Sequence, residues 1–231
     1  MTRRALFALA ALCLWTAGAY QAPGTHPVTG RKIAGVMGMS GADWLTRSER
    51  ESEEQPDRAL DALNLKPGMV VADIGAGVGY MSLRMAKRVG PSGKVYANDL
   101  QPEMLAKLRD NAAKGKINNV VTVLGDVADP KLPPNTMDLV LLVDVYHEFS
   151  QPQQMLRKIR ETLKPDGRLV LLEYRAEDPN IPINPEHKMT VAQVKAELEA
   201  EGFVLQPVIE ILPRQHILIL TKAAAKAAGA R

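Results

Sequence analysis

Five short apolar runs constrain this chain more than any other feature. They lie at residues 69–74, 94–98, 120–124, 138–143 and 168–173, and most are continuous rather than alternating in polarity. A strand that is apolar on both sides has to be covered on both faces. The covers are supplied by helical patterns at 79–89, 102–114 and 152–163, the second opening on Pro102, which suits a first helical turn. A further helix is predicted from Thr190, where Gln193 three residues on completes a capping box, and it ends before Gly202. Beyond it the alternation stops. "FVLQPVIEIL" and "QHILILTK" read as consecutive strands with only Pro213 and Arg214 between them. So short a link demands an antiparallel pair, since a parallel crossover needs about a dozen residues or more. The expected fold is α/β: a three-layer sandwich on a mostly parallel seven-stranded sheet, closed by a C-terminal antiparallel hairpin.

At 231 residues the chain holds one well-buried domain, predicted over 56–222. Residues 1–19, "MTRRALFALAALCLWTAGA", combine Arg3 and Arg4, an apolar stretch from Ala5 to Trp15 and an A-x-A pattern at Ala17-Gly18-Ala19. That is the layout of a cleaved signal peptide, and the stretch is shorter than the ~20 residues a spanning helix needs. Export is the expected localisation; a cytoplasmic chain or an N-terminal membrane anchor is the alternative. The mature chain would carry no spanning helix, and no cysteine either, because Cys13 is the only one. Residues 20–55 are expected to form an N-terminal extension that serves as a lid, and 223–231 a low-complexity tail. "SERESEEQPDRALDALNL" reads as one charged helix with Leu60, Leu63 and Leu65 on its apolar side. The formal charge of +3 owes two charges to Arg3 and Arg4, and aromatic residues are scarce at 4%. The chain therefore offers neither a basic field nor a stacking platform for nucleic acid.

After the first apolar run comes "VVADIGAGVGY", residues 70–80, with glycines at 75, 77 and 79. A glycine-rich turn between a strand and its helix lets a nucleoside-containing ligand lie against backbone N–H groups. The dinucleotide fingerprint G-x-G-x-x-G is absent, since position 80 is Tyr. Carboxylates close three strands instead: Asp73, Asp99 in "VYANDLQPEML", and Asp126 in "LGDVADP". Such a set repels a pyrophosphate and suits a ligand with a cationic head, a ribose diol and an exocyclic amine. A turn-capping role for Asp73, a helix N-cap role for Asp99 and a β-turn role for Asp126 are the structural alternatives.

Together "VVADIGAGVGY", "VYANDLQPEML", "VTVLGDVADP", "MDLVLLVDVYHEF" and "LKPDGRLVLLEY" resemble, in order and spacing, the class I S-adenosylmethionine-dependent methyltransferases over roughly residues 60–222. The resemblance implies a Rossmann-like sheet with S-adenosylmethionine as cofactor. It further implies that Asp73 and the loop of Gly75, Ala76, Gly77 and Gly79 hold the methionine part, and Asp99 the ribose with Leu100 beside it. Asp126 and Val127 would then hold the adenine, and Asp144 would face cofactor or substrate. "YHEF" and "PEHKMT" are similar to a bacterial branch with export-like N-termini. The implied activity is methyl transfer to an unidentified acceptor, a small molecule or lipid rather than nucleic acid. A cofactor-binding protein without transferase activity is the alternative, and a nucleotide-dependent oxidoreductase is a third reading that the missing glycine disfavours.

Methyl transfer from a sulfonium needs in-line placement and a dry site; a base is needed only when the acceptor arrives protonated. The best-placed titratable groups follow the fourth apolar run: Asp144, Tyr146, His147 and Glu148. His147 is the candidate general base, with a structural imidazole as the alternative. "HEFSQ" misses the zinc motif H-E-x-x-H because position 151 is Gln, so no metal is expected. His187, in a Pro-rich stretch, and His216, at a strand start, are weaker candidates. Trp44 is expected to pack the N-terminal helix rather than to close over an acceptor. The export signal and a cytosolic cofactor are reconciled if "TRRALFA" is a twin-arginine signal, which exports folded proteins.

Overall fold

The computed structural model describes residues 24–224. The expected signal peptide at 1–19 and most of the expected tail, 225–231, lie outside them. Two short helices, α1 (Arg50–Glu54) and α2 (Pro56–Ala62), precede the sheet. The alternating region follows: β1 (Val70–Ile74), α3 (Tyr80–Val89), β2 (Lys94–Asp99), α4 (Pro102–Lys114), β3 (Val120–Leu124), β4 (Met137–Val143), α5 (Pro152–Thr162) and β5 (Leu163–Arg175). The chain ends through β6 (Lys188–Met189), α6 (Val191–Glu199), β7 (Phe203–Leu205) and β8 (Gln215–Lys222).

The strands hydrogen-bond in the order β3-β2-β1-β4-β5-β8-β7. All neighbours are parallel except β8, which runs antiparallel to both β5 and β7. Period-two alternation sorts the strand residues to two faces. Val71, Val95, Leu139, Leu141, Val170 and Ile217 pack with Leu60, Met81 and Met85 of α2 and α3. Ala72, Val140, Leu142, Leu169, Leu171 and Leu218 pack with Leu156, Ile159, Val194 and Leu198 of α5 and α6. These are the three expected layers, and the reason the apolar runs are continuous.

The structure corrects four details. The sheet has eight strands rather than seven, because the two-residue β6 pairs with β5 outside the main order. The single charged helix is two, broken at Gln55, which sits at φ 50°. Pro56 follows it and cannot donate to a continuing helix, so a new helix starts there with Pro at its first turn. Strand β5 starts five residues earlier than the apolar run, with an irregularity opposite Met137 and Leu139. Strand β7 is shorter than "FVLQPVIEIL", for Pro207 lacks an N–H and only an isolated bridge, Ile209 to Ile217, resumes the pairing. The capping box of α6 forms as expected, with Thr190 accepting from the Gln193 amide.

Candidate active site

Strand order reverses between β1 and β4, whose connections leave toward opposite edges of the sheet. The crevice beyond the carboxyl ends of such strands is where open α/β sheets bind ligands. A cavity of about 650 Å³ lies there. It is lined by Asp73, Gly75, Ala76 and Gly77 from the end of β1 and the loop after it. Asp99 and Leu100 line it from β2, and Asp144, His147 and Glu148 from β4 and the turn that follows.

The glycines of the loop have separate reasons. Gly75 has φ +71°, and a Cβ there would meet the Val145 side chain at 2.5 Å. Gly79 has φ +93° at the start of α3, and its Cβ would meet Leu108 at 2.8 Å. Gly79 does not line the cavity. It lets the loop turn into α3 against α4. Gly77 is tied to the next strand, its amide donating to Asp99 Oδ2 at 2.8 Å.

The four strand-end carboxylates stand in different settings. Asp73 is buried and accepts from the Ser82 hydroxyl at 2.5 Å, so it does not cap the glycine turn. Burial pushes its pKa up to about 6, against the pull of Ser82 and Arg50. Asp99 accepts from two backbone amides, Gly77 on one oxygen and Gln101 at 2.9 Å on the other. Each oxygen keeps a lone pair, since a carboxylate has about four acceptor sites. The helix cap of α4 is Gln101, not Asp99. Burial raises the Asp99 pKa despite those amides. Asp144 has φ 54°, a left-handed conformation uncommon outside glycine. Its Oδ2 accepts from Gln215 Nε2 at 2.7 Å, while its buried Oδ1 has no hydrogen-bond partner among the described residues. Burial, then the nearby Glu54 and Glu173, hold its carboxyl well above the usual range. Asp126 is set apart from the other three. It is exposed, accepts from the amides of Ala128 and Asp129, both at 2.9 Å, and pairs with Lys131. Its short side chain closes its own turn, so it does not line the cavity; its neighbour Val127 does.

The N-terminal extension contributes a wall. Ile33 to Met37, Trp44, Leu45, Arg47, Arg50 and Glu54 all line the cavity. Trp44 is corrected from core to rim: it is 48% exposed, with the Arg47 guanidinium 3.7 Å from its ring centre. Behind it Glu54 receives Arg50 at 2.5 Å and the Tyr174 hydroxyl at 2.8 Å, a buried network that packs the helix before the sheet onto β5. Arg31 and the Ala34 amide both donate to the His147 carbonyl, so the extension also holds the turn after β4 in place.

That turn carries a cluster of polar side chains. His147 is buried, and its Nδ1 lies 2.7 Å from Glu173 Oε2. Glu173, fully buried on β5, uses its other oxygen to accept from the Tyr146 amide. Burial pulls the His147 pKa down, but Glu173 outweighs it and leaves the imidazole above its usual value. On its other side, His147 Nε2 is 3.1 Å from His187 Nδ1. Burial pushes the Glu148 carboxyl up to about 7. His216 lies elsewhere, bound to Glu177 and Glu210. Sequence reasoning missed Glu173, Arg50 and Glu54; an acid inside the apolar run "LVLLEY" was the one available signal.

A switch-point crevice lined by strand-end carboxylates, on a mostly parallel sheet with one reversed strand, is the arrangement of the class I S-adenosylmethionine-dependent methyltransferases. The chain belongs to a methyltransferase-domain family, whose model matches residues 65–219. It is similar to an S-adenosylmethionine-dependent methyltransferase of known structure from Aquifex aeolicus, with a TM-score of 0.76 and 28% identity. That likeness covers 80% of this chain and 98% of the other. An arsenite methyltransferase from Halobacterium salinarum is 28% identical over 66% of this chain and 41% of that protein. A ubiquinone/menaquinone biosynthesis C-methyltransferase from Paraburkholderia phymatum is 36% identical over 48% of this chain and 45% of that protein. The chain thus spans less than half the length of these curated relatives.

S-adenosylmethionine is the cofactor, and the residues present fit it. The unpartnered Asp144 Oδ1 suits a cationic group, and the free lone pairs of Asp99 suit a diol. The volume lies within the ~300–1,000 Å³ usual for small-molecule sites. Among the described residues no helix is long and apolar enough to cross a membrane.

Proposed function

We propose that this protein transfers the methyl group of S-adenosylmethionine to a small-molecule acceptor that shares the switch-point cavity. The observation that carries the reading is the orphaned Asp144 Oδ1, because a buried acceptor without a donor is costly unless a ligand supplies one. On this reading the ammonium of the methionine part is that donor. Asp73 and the Gly75–Gly77 backbone flank the same part, Asp99 holds the ribose with Leu100 beside it, and Val127 packs against the adenine. The reaction breaks the C–S bond, leaves its electron pair on sulfur and forms the bond from methyl carbon to acceptor. What this chain contributes is in-line placement in a dry site, and His147 at the acceptor end to take up or steer a proton. The arsenite and quinone methyltransferases among its relatives support a small-molecule acceptor.

The test is to incubate the protein with methyl-labelled S-adenosylmethionine and an extract of the producing cells, then separate lipid, metabolite, protein and RNA pools. Label in the metabolite or lipid pool is expected. Cofactor binding with no transfer into any pool would leave a cofactor-binding protein instead. The relatives act on different acceptors by name, so the acceptor atom has to come from this experiment.

We also propose that residues 1–19 direct export, by the twin-arginine route, of a chain already folded.

A further inference from the structure

Residues far apart in sequence bring a second imidazole to the turn after β4. The motif H-E-x-x-H places its two histidines on one helix; here Gln151 occupies the second position. The loop between β5 and β6 supplies His187 instead, through a short helical turn, Pro185–His187, that Asn184 caps by accepting from the Glu186 amide. His147 Nε2 and His187 Nδ1 face each other at 3.1 Å. Glu148 Oε1 is 3.9 Å from the same His187 nitrogen, and one ligand atom from each of the three residues lies within 4.8 Å of the others. All three side chains line the cavity.

We infer that His147, His187 and Glu148 form a binding site for a divalent transition-metal ion of the zinc type. Three features support this. Two nitrogens that each sit ~2.0–2.1 Å from a tetrahedral ion are about 3.3 Å apart, so the imidazoles stand near that spacing already. Next, His147 has the outer partner that metal-bound imidazoles take: its Nδ1 is held by buried Glu173, which leaves Nε2 aimed at the cluster. Glu173 is itself oriented by the Tyr146 amide, and the His147 carbonyl by Arg31 and Ala34, so the first ligand is rigid before any ion arrives. Last, three protein ligands that open onto a cavity leave a coordination position for a substrate, the arrangement of catalytic rather than structural zinc sites. Two nitrogens and one oxygen select zinc, cobalt, nickel or iron(II) over magnesium and calcium, which take oxygen ligands.

The role of the ion rests on the methyltransferase reading, although its binding does not. An acceptor hydroxyl seated on the open position would release its proton to solvent. Its oxygen pair would then form the bond to the methyl carbon while the C–S bond breaks toward sulfur. With the ion bound, His147 would serve as its ligand instead of as the general base of the metal-free reading, and the acceptors would narrow to those with a coordinating oxygen.

The experiment uses the full chain without a polyhistidine tag, stripped with a chelator, and titrated with Zn²⁺ by calorimetry with S-adenosylmethionine affinity measured on the same samples. One equivalent of Zn²⁺ is expected to bind. His187→Ala and Glu148→Gln should each weaken it at least tenfold, and Glu173→Gln by about 10–100-fold as an outer partner. His216→Ala, outside the cluster, should leave it unchanged. Imidazole ¹⁵N shifts of the unaltered chain on adding Zn²⁺ give a readout that no variant's folding can spoil: His147 and His187 should move together. Loss of less than threefold in His187→Ala, or shifts at His26 or His216 instead, overturns the site. Normal cofactor binding beside failed zinc binding removes the metal and leaves the methyltransferase reading intact. The reverse result removes that reading and leaves the metal site.

Discussion

Replacing Asp99 by Asn tests the cofactor site where its geometry is most explicit. Each carboxylate oxygen accepts one backbone amide, from Gly77 at 2.8 Å and Gln101 at 2.9 Å, and keeps one lone pair, which the proposed reading gives to a ribose hydroxyl. An amide has one oxygen and one NH₂. Whichever way it is turned, the NH₂ faces a backbone N–H and can accept nothing from the diol. The substitution therefore removes one ribose hydrogen bond and strips the charge from the other. Hydrogen bonds to charged groups contribute ~1.5–3 kcal/mol each, so losing one and weakening a second amounts to about 3 kcal/mol, roughly a hundredfold in Kd. Calorimetric titration with S-adenosylmethionine and with S-adenosylhomocysteine should show the same loss, because both carry the same ribose. A thermal melt of the ligand-free variant separates this from the loosened loop. Affinity within threefold of the unaltered chain, for a folded variant, would refute the ribose assignment and the placement of the ligand along β2.

Burial holds Asp73 near pKa 6, and a cationic ligand should lower it, so the group releases a proton on binding. Affinity for S-adenosylmethionine should accordingly fall as pH drops from about 7 to 5, by up to tenfold per unit, and level off above about 7; equal affinities at the two ends would contradict this. Gly75→Ala places a side chain at φ +71° and 2.5 Å from Val145. Left-handed strain of ~1–2 kcal/mol plus overpacking of ~1–3 kcal/mol, at ~2–4 °C per kcal/mol for a chain of this size, predicts a melting temperature lower by about 4–20 °C. An unchanged melting curve would show that the loop has another conformation. His147→Ala should reduce turnover at least ~100-fold with cofactor affinity nearly unaltered, and least at alkaline pH, where an acceptor ionises unaided. Turnover that survives at every pH would leave the imidazole a structural role only. Changing Arg3 and Arg4 to Lys should trap precursor inside the cell, and normal processing of the double variant would favour ordinary secretion over the twin-arginine route.

The layered fold was legible because its signals are local or periodic. A parallel strand covered on both faces has to be apolar along its length, and β1, β2, β4 and the core of β5 announce themselves that way. The two-residue link between the last two apolar patterns forced the reversed strand. The capping box at Thr190 and Gln193 is complete within four residues, and it formed. Pro56 and Pro207 were visible too, yet their effect depends on whether the neighbouring backbone needs an N–H there, which the pattern of apolar residues does not say.

The site divides along the same line. Asp73, the glycine loop, Asp99 and Asp144 stand where strands end, and a strand end is a sequence position; the sheet order then gathers them at one crevice without further instruction. Asp126 has the same position at the end of β3, but local amides claimed its carboxylate, a competition settled over three residues of turn geometry. The contact of His147 with His187 spans forty residues, and that with Glu173 twenty-six, so no motif could hold either pair. Trp44 read as core from its composition and became rim, because what an aromatic covers depends on elements that arrive from elsewhere in the chain. By itself the sequence determined the layers, the reversed hairpin and the acidic strand ends, since periodicity and chain connectivity are enough for those. Only the tertiary structure decided which carboxylate stays unpartnered, which histidines meet and what closes the cavity, because burial and long-range pairing are properties of the packed chain rather than of any stretch of it.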